Sequence, residues 1–551
     1  MKAKGFTSKG LWTAALALVL ASALMLAACS GPSSGGSGGS AGAKNSAVTI
    51  GLAQLTKNID PIYAYDFSTN PVTNQIFEGL LQFDQNDQVV PMLAKSWEEK
   101  DPTTYVYEIR NDVKFSDGKP MTMDDVMYSL GRYQNKDLGA YTAWMYDNVA
   151  SIEKTGDWEI TVKLTQPDAL WKMTFATTAG CIQEKAVVEA AASKDYGTVN
   201  SWPIGTGPYK ITSWAAGGDI KLDYYSSYWD KSVAAPDVKT VVFRPVEEDS
   251  TRVAALTSGQ IDLVLQTPVD MLPQVQKSKN AKIATIPSAG LEYISFNNKK
   301  APFDDVNARR AVASAINVED LQKNVIKDFG VPTNYMMVPS SLFMFEKPTW
   351  QAYEKSAKVN KYDVEQAKKY LAASKTPGGF SFDLTVDSKT IDNSIALAVQ
   401  QDLKAVGITC NIVKVSNDEA TSEQFGSGIK DGVRPYQALI TEWSSDFPDP
   451  SGVLTPLLDS SSGGDGGSNS AQYANAQFDA LIKQQAGSSD NVERTKLLTQ
   501  ALDIINDEQP YYIYTHQNWL FGYNPRITKG AADATPFWFW NLRVVNFKLS
   551  K

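Results

Sequence analysis

Histidine is all but missing from this 551-residue chain, with His516 standing alone. That argues against a His-rich metal site and leaves one possible base for any Ser-His-Asp arrangement. Cysteine is almost as scarce: Cys29, Cys181 and Cys410, with no C-x-x-C pair. Cys181 and Cys410 lie far apart in sequence, and whether they pair is left open. Cys410 shares strand parity with Ile408 and Ile412, which predicts a small apolar residue facing a core. No G-x-x-x-x-G-K-[ST] phosphate loop occurs. Positive charge is in deficit, 52 Lys and Arg against 61 Asp and Glu. An acidic body argues against nucleic acid as a partner and against an anionic membrane gripped by a basic face. After residue 28 there is no second long apolar run, so nothing in the body reads as a membrane span. No cofactor and no metal is expected.

The N-terminus is richer. Lys2, Lys4 and Lys9 precede an apolar segment from Leu11 to Ala28, which ends Leu26-Ala27-Ala28-Cys29. This resembles the lipobox of bacterial lipoproteins. The resemblance implies a signal peptide over 1–28, lipidation of Cys29, and a protein held at the extracytoplasmic face of the cell membrane. An uncleaved N-terminal membrane helix is the other reading. Residues 29–44 then form a Gly/Ser-rich tether, whose ~15 residues span roughly 20–23 Å. Gly35-Gly36-Ser37-Gly38-Gly39 fits G-x-S-x-G, but a flexible tether lacks the strand and helix that an esterase elbow needs.

About 500 residues remain, enough for two or three domains. Strands and helices alternate irregularly, which points to layered α/β architecture. Trp158 to Leu164 alternates apolar and polar, as a half-buried strand does. Asp363 to Ala373 reads as a short amphipathic helix. Ser394 is expected to cap a helix with an apolar stripe through Ile395, Val399, Leu403 and Val406, closed by a left-handed Gly407 and followed by a strand over Ile408 to Val415. Ser460 to Ser470, rich in Gly, Ser and Asp, is expected to be a mobile surface loop.

Several separated pieces form one ordered pattern. Asp60-Pro61 comes first, then Phe77-Glu78-Gly79-Leu80-Leu81 and Pro91-Met92-Leu93-Ala94-Lys95-Ser96-Trp97-Glu98. Val113-Lys114-Phe115-Ser116-Asp117-Gly118-Lys119-Pro120, Gly205-Thr206-Gly207-Pro208-Tyr209 and Ser258-Gly259-Gln260-Ile261-Asp262 follow. Ala301-Pro302-Phe303-Asp304-Asp305 and Trp443-Ser444-Ser445-Asp446-Phe447-Pro448-Asp449-Pro450 come next, and Phe478-Asp479-Ala480-Leu481-Ile482 is last. From about Ile50 onward the chain resembles the bacterial ABC-transporter solute-binding proteins of family 5, the oligopeptide- and dipeptide-binding class. The resemblance implies an α/β, two-lobed periplasmic-binding-protein-like fold of the large three-domain type, closing about a hinge. Domain I would comprise 45–78, 204–290 and 521–551, inserted domain II 79–203, and domain III 291–520, with the chain crossing between lobes near residues 290 and 520.

The same resemblance implies a site. Trp443, Ser444 and Asp446 match the segment that lies along a bound peptide backbone, and Asp446 matches the carboxylate that meets the α-ammonium. A plain capping role is the other reading for Asp446, and a structural one is expected for Asp449. Tyr65, Asp66 and Phe67 fall where relatives offer the opposite wall, or else form an ordinary loop. Tyr141 and Trp144 wall the cleft or belong to the core. Ile440 stands where some long-peptide binders carry an Arg. Lys389 lies near the position of an Arg that pairs the ligand carboxylate in dipeptide binders. Arg434 is another candidate for that carboxylate, with a solvated loop as its plainer role. Glu442 is expected to bind ligand beside Trp443 and Ser444, and with Asp446 it would be the carboxylate pair if the chain were instead a glycosidase.

These expectations amount to a non-enzymatic, monomeric receptor. It would capture peptides and hand them to ABC permease subunits driven by cytoplasmic ATPases. A β-linked oligosaccharide or a metal chelate on the same scaffold is the alternative ligand.

Overall fold

The computed structural model describes residues 46–54, 56–191, 195–233, 235–327, 330–333, 335–426 and 428–550. The signal segment, Cys29 and the tether lie outside them. Strand β1 (Ala47–Leu52) buries Val48, Ile50 and Leu52, and the short helix α1 (Asn70–Ile76) follows. Next comes a four-stranded antiparallel sheet of β2 (Ala94–Asp101), β3 (Thr104–Ile109), β4 (Val149–Gly156) and β5 (Glu159–Leu164), in the order β2-β3-β5-β4. Its core face holds Ile160, Val162 and Leu164, the alternation read from Trp158 to Leu164. Helix α2 (Met123–Gln134) is inserted between β3 and β4. Thr122 and Asp125 start it by a reciprocal capping box that satisfies two otherwise orphaned N–H groups.

The chain then builds β6 (Tyr209–Trp214), β7 (Ile220–Tyr224), β8 (Thr240–Pro245), β9 (Leu263–Val264), β10 (Lys282–Phe296), β11 (Gly330–Pro332), β12 (Ser381–Val386), β13 (Thr409–Lys414), β14 (Ala438–Ser444) and β15 (Tyr511–Tyr523). With β1 these make one eleven-stranded mixed sheet, ordered β13-β12-β14-β10-β15-β9-β1-β8-β7-β6, with β11 also on β15. Helices α3 (Val364–Ala372), α4 (Thr390–Lys404), α5 (Asn417–Gln424), α6 (Ser451–Leu458) and α7 (Asn491–Glu508) fill the second half. No helix among the described residues is long and apolar enough to cross a membrane.

Local expectations fare unevenly. Helix α3 starts at Asp363, whose carboxylate accepts from Gln366 N–H. Gly407 takes φ +84°, where a side chain would be strained, and β13 buries Cys410. Cys181 and Cys410 are both free, buried thiols, and no disulfide joins them. Helix α4, however, begins at Thr390 rather than after Ser394. The Ser394 hydroxyl donates back to Thr390 O (2.9 Å) from inside the first turns, while Asn393 Nδ2 ties the entry to Asp387 O and Lys389 O. A serine at that spacing serves either position, because its hydroxyl can cap or back-bond.

The two halves of the large sheet share only β10 and β15. β9 pairs β15 at Leu263 and Val264, while β14 pairs β10 over Gly290–Phe296. Between those stretches the β10–β15 ladder shifts register, from Pro287↔Asn518 to Leu291↔His516. Pro287 has no N–H to donate, so a break there is where a strand most easily tolerates one. A Cβ at Gly290, inside the break, would meet the Gln517 side chain and displace it. Past it, β10 is buried on both faces.

Candidate ligand cavity

A cavity of about 900 Å³ opens at the C-terminal end of β14, within the ~300–1,000 Å³ usual for small-ligand sites. Its wall includes Tyr65, Asp66, Phe67, Tyr141, Trp144, Glu442, Trp443, Ser444 and Asp446. The Asp66 carboxylate accepts from Ser68 and Thr69 N–H (both 2.8 Å), a turn that leads into α1. Phe67 is wedged in an aromatic group with Trp519 (4.8 Å between centroids) and Phe539 (5.4 Å). Tyr141 and Trp144 lie on a tight turn rather than on a core helix and are 62 % and 43 % exposed, so they belong to the wall and not to the core. Trp443 donates its indole N–H to Gly452 O (3.1 Å). β14 is paired by β12 only at Ala438 and Leu439. From Ile440 to Ser444 its outer edge therefore carries no strand, although the Glu442 carbonyl accepts from Gln424 Nε2 (2.9 Å).

Asp446 ends this edge. Its carboxylate accepts from the Tyr65 hydroxyl (2.7 Å), and its carbonyl from Trp540 Nε1 (2.8 Å). Burial pushes its pKa up to about 7, and the Tyr65 hydrogen bond pulls only weakly the other way. Tyr65 in turn is raised well above the usual phenol value, by burial first and by the Asp446 charge second. A carboxylate so placed, with no cation beside it, is costly to ionise until one arrives.

Four residues earlier the opposite holds. Burial works against ionisation of Glu442, but Lys389 Nζ (3.2 Å) and Gln517 Nε2 (2.7 Å) outweigh it and hold its carboxyl below the ordinary value. Glu442 has about half its side chain open to the cavity while protein surrounds it on the longer range over which charges act. Lys389 does not line the cavity. It sits behind Glu442, shared with Asp387 at 3.6 Å. Gln517 also bonds Glu292, whose pKa is raised by burial and then by Glu442.

Other residues take places that the sequence did not suggest. Arg434 is neither a ligand arginine nor a solvated one: it is 1 % exposed and donates to the carbonyls of Glu423, Gln424, Gly464 and Gly467. It therefore ties together two loops of the cavity wall. Ser460 to Ser470 is a loop, but Asn469 and Ser470 are buried, and Ser461, Ser462 and Asp465 to Ser468 contribute to the wall. Asp449, by contrast, takes the structural place expected of it, paired with Arg494 at 2.9 Å, both fully buried. Phe539 and Trp540 form another part of the wall, with only the aromatic run Phe537–Trp540 as a sequence signal. Among the described residues, no group of three His, Cys, Asp or Glu side chains is arranged to hold a metal.

Residues 88–465 match the family described as bacterial extracellular solute-binding proteins, family 5. The glutathione-binding protein GsiB of Escherichia coli K12 is 28 % identical over 490 residues, covering 88 % of this chain and 91 % of that protein. The oligopeptide-binding protein AppA from Bacillus subtilis, solved with a nonapeptide, superposes with a TM-score of 0.72 at 24 % identity over 92 % of this chain and 99 % of the other. DppA from Helicobacter pylori, solved with the peptide STSA, gives 0.73 at 22 % identity over 92 % and 98 %. The fold is thus the mixed α/β, type II periplasmic-binding-protein fold of the peptide-binding class.

Proposed function

Because this chain belongs to the family 5 bacterial extracellular solute-binding proteins, we propose that it is a peptide receptor of an ABC importer, anchored to the membrane by lipid on Cys29. It captures peptides on the extracytoplasmic side and delivers them, as a monomer, to permease subunits with cytoplasmic ATPases. The observation that carries the reading is Asp446, a half-buried carboxylate without a cationic partner at the end of an open strand edge. A peptide laid along β14 would use main-chain bonds that ignore side chains, and its α-ammonium would supply the missing charge. The named ligands of AppA, DppA and GsiB support the same class.

The mechanism is a shift of population. Residues 45–78, 204–290 and 521–551 make one lobe, with 79–203 inserted in it, and 291–520 make the other. β10 and β15 join them, and the register break lies where the chain crosses. A ligand that touches both lobes only when they are closed favours closure by the difference in its affinity for the two states. Tyr65 and Asp446 come from opposite lobes, so their hydrogen bond belongs to the closed form. Calorimetry with tri- to pentapeptides tests the proposal. Free peptides should release heat on binding and their N-acetyl forms should not; equal heats from both, or none from either, would refute it.

A further inference from the structure

The cavity wall has a lopsided charge. Asp66, Asp147, Glu442, Asp446 and Asp465 contribute to it, and among the described lining residues there is no Lys, Arg or His. Two of the acids are already engaged, Glu442 by Lys389 and Asp66 by the N–H groups of Ser68 and Thr69. Asp446, Asp147 and Asp465 remain without a cation. Two independent features point the same way. Asn70 is 2 % exposed and part of the wall, and its Oδ1 accepts no hydrogen bond from the protein, so it lacks a donor. Exposed aromatic faces, Tyr141, Trp144 and Phe425, surround the same space, and such faces attract ammonium and guanidinium groups.

Resting on the peptide reading, we infer that this site selects peptides with surplus positive charge, those carrying Lys or Arg, and gives a ligand carboxylate no partner. One α-ammonium answers Asp446 alone. A second cation on the ligand would answer Asp147 or Asp465 and the unpartnered Asn70 Oδ1. A free carboxylate closed into this space would be an unpaired buried charge beside others of its own sign. The wall is therefore poorly suited to glutathione, which carries two carboxylates and one ammonium, although a glutathione-binding protein is among the relatives.

Calorimetry of the purified protein at low ionic strength distinguishes the cases with five probes: Ala-Ala-Ala, its C-terminal amide, Ala-Lys-Ala, Ala-Glu-Ala and glutathione. Ala-Lys-Ala should bind about tenfold more tightly than Ala-Ala-Ala, and Ala-Glu-Ala about tenfold more weakly. Amidation should not weaken binding, and glutathione should bind worst. The spread should narrow when salt is raised from about 20 to about 200 mM. It should narrow again in the double variant Asp147→Asn, Asp465→Asn, both exposed positions, with an unchanged melting curve as the check on folding. If peptides bind without regard to charge, if amidation abolishes binding, or if glutathione or Ala-Glu-Ala binds best, this inference falls while the peptide reading stands. If no peptide gives heat, both fall.

Discussion

The proposed role asks Asp446 to be half-buried and protonated before ligand arrives and charged after it does. Its pKa of about 7 in the folded chain against ~3.9 in an unfolded one means that the folded state keeps a proton which the unfolded state has lost. Stability from this group is therefore full below about pH 4 and is lost as pH rises through about 7. Ligand affinity moves the other way. An ammonium needs the ionised carboxylate, so affinity should climb with pH through about 7 and fall again as the peptide amine deprotonates near ~8. Below pH 7 each binding event should displace a proton, seen as a dependence of calorimetric heat on buffer ionisation enthalpy. Asp446→Asn should abolish that dependence and cost about 3–5 kcal/mol of affinity. Tyr65→Phe removes the sole side-chain donor to this carboxylate among the described residues, lifts its pKa further and should weaken binding about three- to tenfold at neutral pH. A pH-independent affinity in the native protein would contradict the role given to Asp446.

Elements explain how such a carboxylate is held in place. The loops after α5 and α6 have little apolar surface of their own, and Arg434 fastens both through four main-chain carbonyls. Arg434→Ala should lower stability by about 3 kcal/mol or more, because it strands buried carbonyls; an unchanged melting curve would show that the loops hold themselves. The Asp449–Arg494 pair anchors the Pro-rich turn behind Asp446 in the same way. Asp449→Ala should cost about 3–5 kcal/mol by leaving the guanidinium unpaired, and Arg494→Ala in the same chain should add much less than it costs alone. These elements also mark how much could be read from sequence. Asp363, Gly407 and the strand parity of Cys410 were legible because each has a local cause: a cap, a positive φ, a period of two. Ser394 was misplaced because one hydroxyl chemistry serves two positions. Arg434 was misread because its partners are carbonyls of loops distant in sequence, and a carbonyl leaves no trace in residue type.

For the whole molecule, the ordered run of motifs was enough to anticipate the fold class through the family that they resemble. Nine residues singled out in the sequence, from Tyr65 to Asp446, share one cavity. Lys389 stands behind it, and Phe539, Trp540 and Asn70 were not foreseen. Those last three reach the cavity only through the return of the C-terminal segment and the packing of α1, neither of which has a short-range signal. If β10 and β15 act as the proposed hinge, the small-angle scattering radius should shrink on adding a bound peptide, and Asp446→Asn should blunt that change at equal peptide concentration. The most direct measurement is a crystal structure with a bound lysine-containing tripeptide. The α-ammonium nitrogen is predicted to lie about 2.7–3.2 Å from an Asp446 carboxylate oxygen, with the peptide backbone along Trp443 and Ser444. A peptide in the cavity with its N-terminus turned away from Asp446, or bound elsewhere, would contradict it.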